Sequence, residues 1–324
     1  MKKKIAIIAG GDSHEREISL KSAQTVLDNI DKELFDAHLV LLTKNEWICH
    51  YHKVEIPINR ADFCLDVDGQ HFHFDAAFIT IHGTPGEDGL LQAYFNLLDI
   101  PYTTTNHSEA TLTFNKWMCN HLLNSLGYAC AKSILLRENH KIDVDLIVAS
   151  LGLPCFVKPN DSGSSYGVKK VNQKEELKEA ILHAFKHGNQ VLIESYLDGI
   201  EVTNGVFTEK GEIIVLPITE IVTDNDFFDY EAKYGGKSTE ITPARLDDDI
   251  SCLIQRMSKD IYHDLGLKGM IRIDYMIVND VPYVIEINTT PGLSEQSVIP
   301  KQASAIGITL KKLFTIVIQE ALNY

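Results

Sequence analysis

The sequence contains no long hydrophobic run. The apolar residues that follow the basic start at residues 1–4 extend only from Ile5 to Ala9, where Gly10, Gly11 and Asp12 end them. This run is too short for the hydrophobic region of a secretory signal peptide. No other stretch approaches the roughly 20 apolar residues of a transmembrane helix. We therefore expect a cytoplasmic protein with no membrane partner.

Paired cysteines and an excess of positive charge are also missing. The six cysteines are scattered without a CxxC pair, which is typical of reduced intracellular thiols. The formal net charge is −15, from 45 acidic and 30 basic residues. Nucleic acids and anionic membranes bind basic surfaces, so neither is an expected partner. An acidic chain that binds a polyphosphate must concentrate positive charge locally or use metal ions.

Two common nucleotide-binding fingerprints are absent. Gly10 and Gly11 lack the GxGxxG spacing, which disfavours a nicotinamide-dependent enzyme, and no Gly-Lys-Ser/Thr precedes a helix as in a Walker A loop. Residues 156–168 instead form a predicted strand, a glycine- and serine-rich loop and a second strand. The N–H groups of such a loop approach an anion closely, and Lys158 adds charge at the strand end. A flexible surface hairpin would have the same composition.

The first hundred residues alternate strands, turns and helices, which is typical of a parallel α/β unit. In such sheets ligands bind just outside the carboxyl ends of the strands. Glu15 and His82 both follow predicted strands at that edge. The predicted strands are 4–9, 35–43 and 75–81, and the predicted helices are 15–30 and 90–98.

The rest of the chain has a different character. At 324 residues the chain is long enough for two or three packed units. After a strand at 191–194, antiparallel strands are expected to dominate as far as Asn288. Helices are predicted at 108–126, 174–186, 248–265 and 309–322. The fold class is therefore α/β, with α+β character in the C-terminal half.

Residues 271–278 and 283–288 alternate as two strands of a hairpin, with a turn predicted at 279–282. Side chains two apart share a sheet face, so Arg272 and Asp274 point the same way, as do Glu286 and Asn288. If Asp274 lies opposite Glu286, all four converge. Two carboxylates and an amide oxygen suit Mg²⁺. A solvated polar sheet face would have the same alternation.

Two further segments are candidates for ligand contacts. An acidic and aromatic stretch after a strand contains Glu194, Tyr196, Leu197 and Glu201, and could contact an adenine and a ribose. Aromatic and charged residues at 227–234 precede a double glycine, which is typical of a mobile lid. A dimer contact is the competing interpretation, because exposed aromatics need a covering surface.

The order of these motifs resembles that of the ATP-grasp ligases, and within them the D-alanine–D-alanine ligase family. The resemblance covers nearly the whole chain. Its motifs are Lys116, Lys158 with its loop, Glu194 and Glu201, the lid Glu-Ala-Lys-Tyr at 231–234, Arg-Ile-Asp at 272–274 and Glu-Ile-Asn-Thr-Thr-Pro-Gly at 286–292, with the N-terminal motifs at 10–20 and 82–89.

This resemblance implies an ATP-grasp fold in three units: an N-terminal α/β domain (1–104) and two ATP-grasp subdomains (105–198 and 199–324). It also implies a homodimer and a two-step reaction. The first D-alanine attacks the γ-phosphate of ATP, and the amine of a second D-alanine then attacks the resulting acyl phosphate. The product would supply peptidoglycan synthesis.

The resemblance also implies a role for each motif residue. Lys116, Lys158, Ser165 and Lys233 would bind ATP together with Glu194, Tyr196, Leu197 and Glu201. Asp274, Glu286 and Asn288 would bind two Mg²⁺ or Mn²⁺ ions. Arg272 and Gly292 would stabilise an oxyanion, Glu15 and His82 would bind the first substrate, and Ser297 and Val298 the second. Ser164 and Tyr234 would connect Glu15 to the lid.

Two alternatives stay open. The second substrate could be D-lactate or D-serine, since Tyr166 and Val298 depart from the family pattern, although Lys233 and Tyr234 favour D-alanine. A nucleotide-sensing protein without catalysis is the alternative from another class. Arg272 disfavours it, because nucleotide binding alone does not need an oxyanion donor.

Overall fold

Three β-sheets and a separate hairpin organise the part of the chain that the computed structural model describes, namely residues 1–13, 15–161, 163, 167–223 and 238–323. The first sheet has the order β4-β3-β2-β1-β7, and β1 pairs in parallel with both β2 and β7. The predicted parallel α/β unit is confirmed for these three strands, whereas β3 and β4 extend the sheet with antiparallel pairs. Its elements are β1 (Lys3–Gly10), α1 (Arg16–Asn29), β2 (Phe35–Leu42), β3 (Trp47–Tyr51), β4 (Val54–Pro57), the hairpin β5 (Cys64–Val67) and β6 (Gln70–His73), β7 (Ala76–Ile79) and α2 (Leu90–Leu97).

The second sheet is antiparallel, in the order β10-β9-β11-β8. Two helices pack on it and bury a core of aliphatic residues such as Val157, Leu177 and Ile193. One of these helices, α5, was not predicted. The elements of this region are α3 (His107–Phe114), α4 (Lys116–Ser125), β8 (Ser133–Arg137), α5 (Val144–Leu151), β9 (Cys155–Pro159), β10 (Lys169–Val171), α6 (Lys174–Ala184) and β11 (Gln190–Ser195).

The third sheet has the order β15-β14-β12-β16-β17, with β13 paired to the far end of β12. All of its described pairs are antiparallel, as predicted. Its elements are β12 (Ile200–Glu209), β13 (Glu212–Val215), β14 (Thr219–Thr223), β15 (Ser238–Ile241), α7 (Asp248–Asp264), β16 (Ile271–Val278), β17 (Val281–Asn288), α8 (Val298–Ala305) and α9 (Leu310–Leu322).

The single helix predicted at 108–126 is wrong, because the chain forms two helices, α3 and α4. Asn115 separates them with φ −84° and ψ 95°, a conformation that cannot continue a helix. Its side chain accepts a hydrogen bond from the Met118 N–H, which caps α4. The break places Lys116 at the first position of α4.

The turn of the closing hairpin is shorter than predicted. Asn279 and Asp280 alone join β16 to β17, and both have positive φ (48° and 62°), which two-residue hairpin turns of this kind require. Uninterrupted pairing from such a turn would set Asp274 opposite Ile285.

A β-bulge changes that register. It lies between Asp274 and Tyr275 and leaves one extra residue on β17, so that Asp274 pairs with Glu286 and Arg272 pairs with Asn288. The convergence of these four side chains on one face is therefore confirmed, and it depends on the bulge.

The last helix completes the core of the first sheet. Phe314 of α9 packs edge-on against Phe78 of β7, with ring centroids 5.7 Å apart, and Leu313 and Val317 join the same buried cluster as Ile5. Similarly, Cys119 and Leu123 of α4 lie in the core of the third sheet. Boundaries at 104/105 and 198/199 stay a prediction. No helix in the described ranges has the length and apolarity needed to cross a membrane.

Candidate active site

A cavity of about 310 Å³ lies where the loops after β1 and β7 face the third sheet. It gathers residues that are far apart in sequence: two from the N-terminal α/β unit, four from β12, β16 and β17, and three from the segment that leads into α8. Those predicted site residues are Glu15, His82, Glu201, Arg272, Asp274, Asn288, Gly292, Ser297 and Val298.

Glu15 lies at the N-terminal end of α1, just beyond the carboxyl end of β1. Its carbonyl accepts hydrogen bonds from the Ile18 and Ser19 N–H groups, and its own N–H donates to Ser13 Oγ. The Ser13 hydroxyl in turn donates to the His82 carbonyl at 2.9 Å, so the two strand-end loops are tied together. A Cβ atom on Gly163 would collide with the Glu15 carboxylate, so Gly163 lies directly against it.

His82 and Glu87 are buried beside Glu15. Burial lowers the pKa of His82, and the Glu15 charge only partly opposes this effect, so the imidazole is neutral near pH 7. His82 Nε2 has no hydrogen-bond partner among the described residues, although the ring lines the cavity. Burial, followed by the Glu15 charge, raises the pKa of Glu87 to about 8. Glu87 also accepts a hydrogen bond from the Gly83 N–H at 2.8 Å.

Arg272 and Asp274 form a two-bond ion pair on β16. Arg272 Nε donates to Asp274 Oδ1 at 2.8 Å, and Nη2 donates to Oδ2 at 2.7 Å. Asn288 Nδ2 also donates to Oδ2, at 3.1 Å from the neighbouring strand. The carboxylate is only 8% exposed, so these charge-assisted hydrogen bonds compensate for its lost hydration.

The three predicted metal ligands fit a hard divalent cation. Asp274 and Glu286 are a cross-strand pair, and because Asn288 donates through Nδ2, its Oδ1 is left to act as a ligand. Lys116 Nζ lies 3.6 Å from Glu286 Oε2, so the lysine predicted to bind phosphate borders the same carboxylates. Such oxygen donors are the ones that Mg²⁺ prefers. Across the described residues, no group of three or more His, Cys, Asp or Glu side chains is placed to hold a metal ion.

The two predicted phosphate-binding lysines lie close to the same asparagine. Asn160, just after β9 and Lys158, accepts hydrogen bonds from the Lys116 N–H through its carbonyl and from the Trp117 N–H through Oδ1. Asn160 Nδ2 donates to Gln190 Oε1 at 2.9 Å, and Asn160 is fully buried. One side chain thus joins the start of α4 to the second sheet.

The residues predicted to bind the nucleoside lie at the end of β11. Glu194 Oε2 is 2.5 Å from Lys158 Nζ, and Glu194 Oε1 accepts from Asn120 Nδ2 at 3.1 Å. Lys170 Nζ lies 4.5 Å from the ring centroid of Tyr196. Leu197, next in the chain, is half-buried. Glu201 is set apart from this group, because it lines the cavity that contains Arg272.

Gly292 and Ser297 lie in the segment that leads from β17 into α8, and Val298 is the first residue of that helix. A Cβ atom on Gly292 would lie 2.9 Å from Ser297 Oγ, and the Ser297 and Ser294 hydroxyl oxygens are 2.8 Å apart. Ser297 is the last residue before α8, so the start of that helix lines the cavity. The Leu293 N–H donates to Ser22 Oγ of α1, which ties this segment to the N-terminal unit.

Four predicted residues lie outside the described residues: Ser164, Ser165, Lys233 and Tyr234. Their roles stay predictions. The structure also adds residues that the motifs did not single out, namely Asn160, Glu87 and Thr203. Glu87 had a sequence signal, since it belongs to the loop motif at 82–89. Asn160 lies in the segment at 156–168 but was given no role there, and Thr203 had no signal, because each acts through a neighbour that is distant in sequence.

The parallel strands of the N-terminal unit face two antiparallel sheets. Lys158 lies on the second sheet and Lys116 at the start of α4, beside the carboxylates clustered on the third sheet, and this arrangement defines an ATP-dependent ligase of the ATP-grasp class. Sequence comparison identifies the family within that class. The family profile for the D-ala D-ala ligase N-terminus matches residues 4–105, and that for the C-terminus matches residues 122–319. The chain belongs to the D-alanine–D-alanine ligase family.

Individual relatives match along the whole chain. The D-alanine–D-alanine ligase of Parabacteroides distasonis is 46% identical over 325 residues, covering 100% of this chain and 98% of that protein. That of Flavobacterium johnsoniae is 48% identical over 321 residues, covering 99% of each.

Solved structures of such ligases superpose closely. The VanG D-Ala:D-Ser ligase of Enterococcus faecalis gives a TM-score of 0.87 at 32% identity, covering 98% of this chain and 99% of that one. The Bacillus anthracis D-alanine–D-alanine ligase complexed with ATP gives 0.81 at 27% identity, covering 99% and 98%.

Proposed function

We propose that the protein joins two D-alanine molecules into D-alanyl-D-alanine with ATP, in the cytoplasm, for peptidoglycan precursor synthesis. The supporting observation is the composition of one cavity. Glu15, an anion suited to a substrate ammonium, shares it with Arg272, a cation suited to an oxyanion, and with Ser297 at the start of α8. A substrate with an ammonium and a carboxylate fits between these groups.

In the first step the carboxylate of one D-alanine attacks the γ-phosphate of ATP. This attack forms an acyl phosphate and releases ADP. Phosphoryl transfer needs positioning and charge neutralisation more than covalent participation by the protein. Lys116 and Lys158 supply positive charge to the phosphates, while Glu15 and neutral His82 hold the substrate ammonium. Ser165 and Lys233 are proposed to complete the phosphate contacts.

Asp274, Glu286 and Asn288 would hold two Mg²⁺ or Mn²⁺ ions. Bound there, the ions neutralise charge on the transferring phosphate. Glu194, Tyr196, Leu197 and Glu201 would bind the nucleoside of ATP.

In the second step the amine of the other D-alanine attacks the acyl carbon, and phosphate leaves the tetrahedral intermediate. The Arg272 guanidinium and the Gly292 N–H would donate to the oxyanion. Ser297 and the Val298 N–H would bind the second carboxylate, since a helix start favours an anion. Ser164 and Tyr234 would connect the lid at 227–234 to Glu15. The closed lid would exclude the water that hydrolyses an acyl phosphate.

D-Serine is a second candidate for the acceptor substrate. The observation in its favour is the similarity of this chain to the VanG D-Ala:D-Ser ligase along its full length. Mass spectrometry of products formed from ATP, D-alanine and an equal concentration of D-serine or D-lactate decides between them. We expect D-alanyl-D-alanine to dominate. A dominant mixed product would contradict our choice, and no D-alanine-dependent phosphate release would favour a nucleotide sensor.

We further propose that the protein acts as a homodimer of three-unit subunits. The family to which the chain belongs supports this assembly. Light scattering coupled to size-exclusion chromatography measures the mass in solution, and we expect twice the 36.3 kDa of one chain. A monomer mass at micromolar concentration would contradict the proposal.

A further inference from the structure

The cavity contains a buried hydroxyl that no step of the proposed reaction uses. Thr203 lies on β12, the strand next to β16, directly opposite Asp274. Its Oγ1 donates to Asp274 Oδ1 at 2.6 Å, and the residue is only 3% exposed. The next acceptor of this hydroxyl, the Ile273 carbonyl, is 3.4 Å away. The hydroxyl is therefore committed to Asp274.

Asp274 accepts four hydrogen bonds, and the donors differ in their proposed roles in the reaction. Arg272 provides two and Asn288 provides one. The proposed mechanism needs Arg272 at the oxyanion, so its guanidinium must turn toward a ligand, and it needs Asn288 Oδ1 at a cation. Thr203 is the donor that has no such second task.

The backbone of Thr203 is held on every side. β12 pairs with β14 on one side and with β16 on the other. The Thr203 carbonyl accepts from Gln302 Nε2 at 3.0 Å, and Gln302 Oε1 accepts from the Gly205 N–H at 3.0 Å. Gln302 is fully buried, so α8 fixes this part of β12. The hydroxyl is consequently a stationary donor.

We propose that Thr203 is a positioning residue that orients the Asp274 carboxylate for a divalent cation. This inference rests on the proposed function. While Arg272 is engaged with substrate, Thr203 keeps Oδ1 occupied and preserves the orientation of the side chain. Hydrogen bonds of this kind to metal ligands are worth about 10- to 100-fold in metal affinity or activity.

Three variants test the role of the hydroxyl. Thr203→Val removes it at nearly constant volume, and Thr203→Ser keeps it. Thr208→Val is the matched control, because Thr208 lies on the same strand and loses one hydrogen bond, to Tyr262 at 2.9 Å, away from Asp274. Mn²⁺ binding to the enzyme–ADP complex is measured by electron paramagnetic resonance, and half-saturating Mg²⁺ is measured by phosphate release.

We expect Thr203→Val to weaken Mn²⁺ binding about 10-fold or more and to raise half-saturating Mg²⁺ in parallel, while Thr203→Ser and Thr208→Val stay near wild type. Unchanged Mn²⁺ binding by Thr203→Val would overturn the proposal, as would an equal loss in Thr208→Val. If Thr203→Val does not fold, Thr203→Ala removes the same hydroxyl without placing a second methyl group beside the Asp274 carboxylate, and unchanged Mn²⁺ binding in that variant would overturn the proposal. Failure of the proposed function is distinguishable, because wild type would then release no D-alanine-dependent phosphate.

Discussion

Arg272 and Asp274 neutralise each other in the structure. Two short hydrogen bonds, at 2.7 and 2.8 Å, join the half-buried Arg272 guanidinium to the buried Asp274 carboxylate. A substrate that draws Arg272 away leaves an anion that a cation then compensates. Binding of substrate and of divalent cation are thus expected to favour each other, because each offsets the charge that the other would leave unpaired.

Arg272→Ala tests the oxyanion role. We expect turnover to fall about 100-fold or more while the KM for ATP changes little, because the lost donor acts on charge that develops during reaction. Steady-state phosphate release gives both constants. Arg245→Ala is the control, because Arg245 also makes two hydrogen bonds to one carboxylate, that of Glu220, outside the cavity. Unchanged turnover in Arg272→Ala would contradict the assignment.

Burial of Glu87 makes the free energy of unfolding depend on pH. Its pKa of about 8 in the folded chain exceeds the ordinary 4.5, so the folded chain retains a proton that the unfolded chain loses. The free energy of unfolding therefore decreases as pH rises through the window between these values. Glu220 has the opposite effect on the pH dependence of stability. Hydrogen bonds from Arg245 lower the pKa of Glu220, so its contribution to the free energy of unfolding is lost only as pH falls.

Between about pH 5 and pH 8 the stability of Glu87→Gln is expected to decrease less with pH than that of wild type. At the alkaline end the difference in unfolding free energy that is removed is on the order of a few kcal/mol. Melting temperatures without ligands, measured every half pH unit, give the profile. In Glu220→Gln the difference from wild type should stay constant over the same window. Parallel profiles for wild type and Glu87→Gln would refute this account of Glu87.

At the scale of elements, the closing hairpin shows what sequence patterns predict well. Strict alternation over β16 and the polar pair Glu286 and Asn288 predicted a shared face, and the observed register confirms it. The bulge that creates this register had no signal. Ile285, the extra residue, is β-branched like Val284 and Ile287, and the short turn at Asn279 would by itself predict the other register.

Contacts between distant elements were likewise outside the reach of local patterns. Thr203 looks like an ordinary strand threonine, and its bond to Asp274 requires knowing that β12 lies beside β16. Asn115 resembles a residue inside a helix until its capping bond to Met118 is seen. Local periodicity predicts elements, whereas neighbour order decides which polar groups meet.

Asn160 provides an element-scale prediction, because it joins α4 to the second sheet. We expect Asn160→Ala to cost about 1 kcal/mol or more in unfolding free energy and to raise the KM for ATP, since the cap on Trp117 is lost and Lys116 is less well held. Denaturant unfolding and ATP titration measure the two effects.

Asn106→Ala is the control for Asn160→Ala. Asn106 precedes α3 but makes no side-chain capping bond to the described part of that helix. An unchanged KM for ATP in Asn160→Ala would show that Asn160 does not position the lysines.

At the scale of the whole molecule, α9 joins the end of the described chain to its beginning. Phe314→Ala is expected to reduce the free energy of unfolding by about 3–5 kcal/mol, the usual cost of truncating a fully buried phenylalanine. Chemical denaturation measures the change. Leu182→Ala is the control, because Leu182 is 50% exposed. A loss below 1 kcal/mol would mean that α9 adds little to the first core.

The helix α9 also has a consequence for how the chain is made. Phe314 is synthesised 236 residues after Phe78, the ring that it covers. At a synthesis rate of roughly 5–20 residues per second, the first sheet leaves the ribosome roughly 10–50 s before α9, which covers it, has been made. During that interval an apolar face of the nascent chain is open to chaperones and to neighbouring chains. The yield of folded protein is thus expected to depend partly on whether chaperones cover that face before neighbouring chains bind to it.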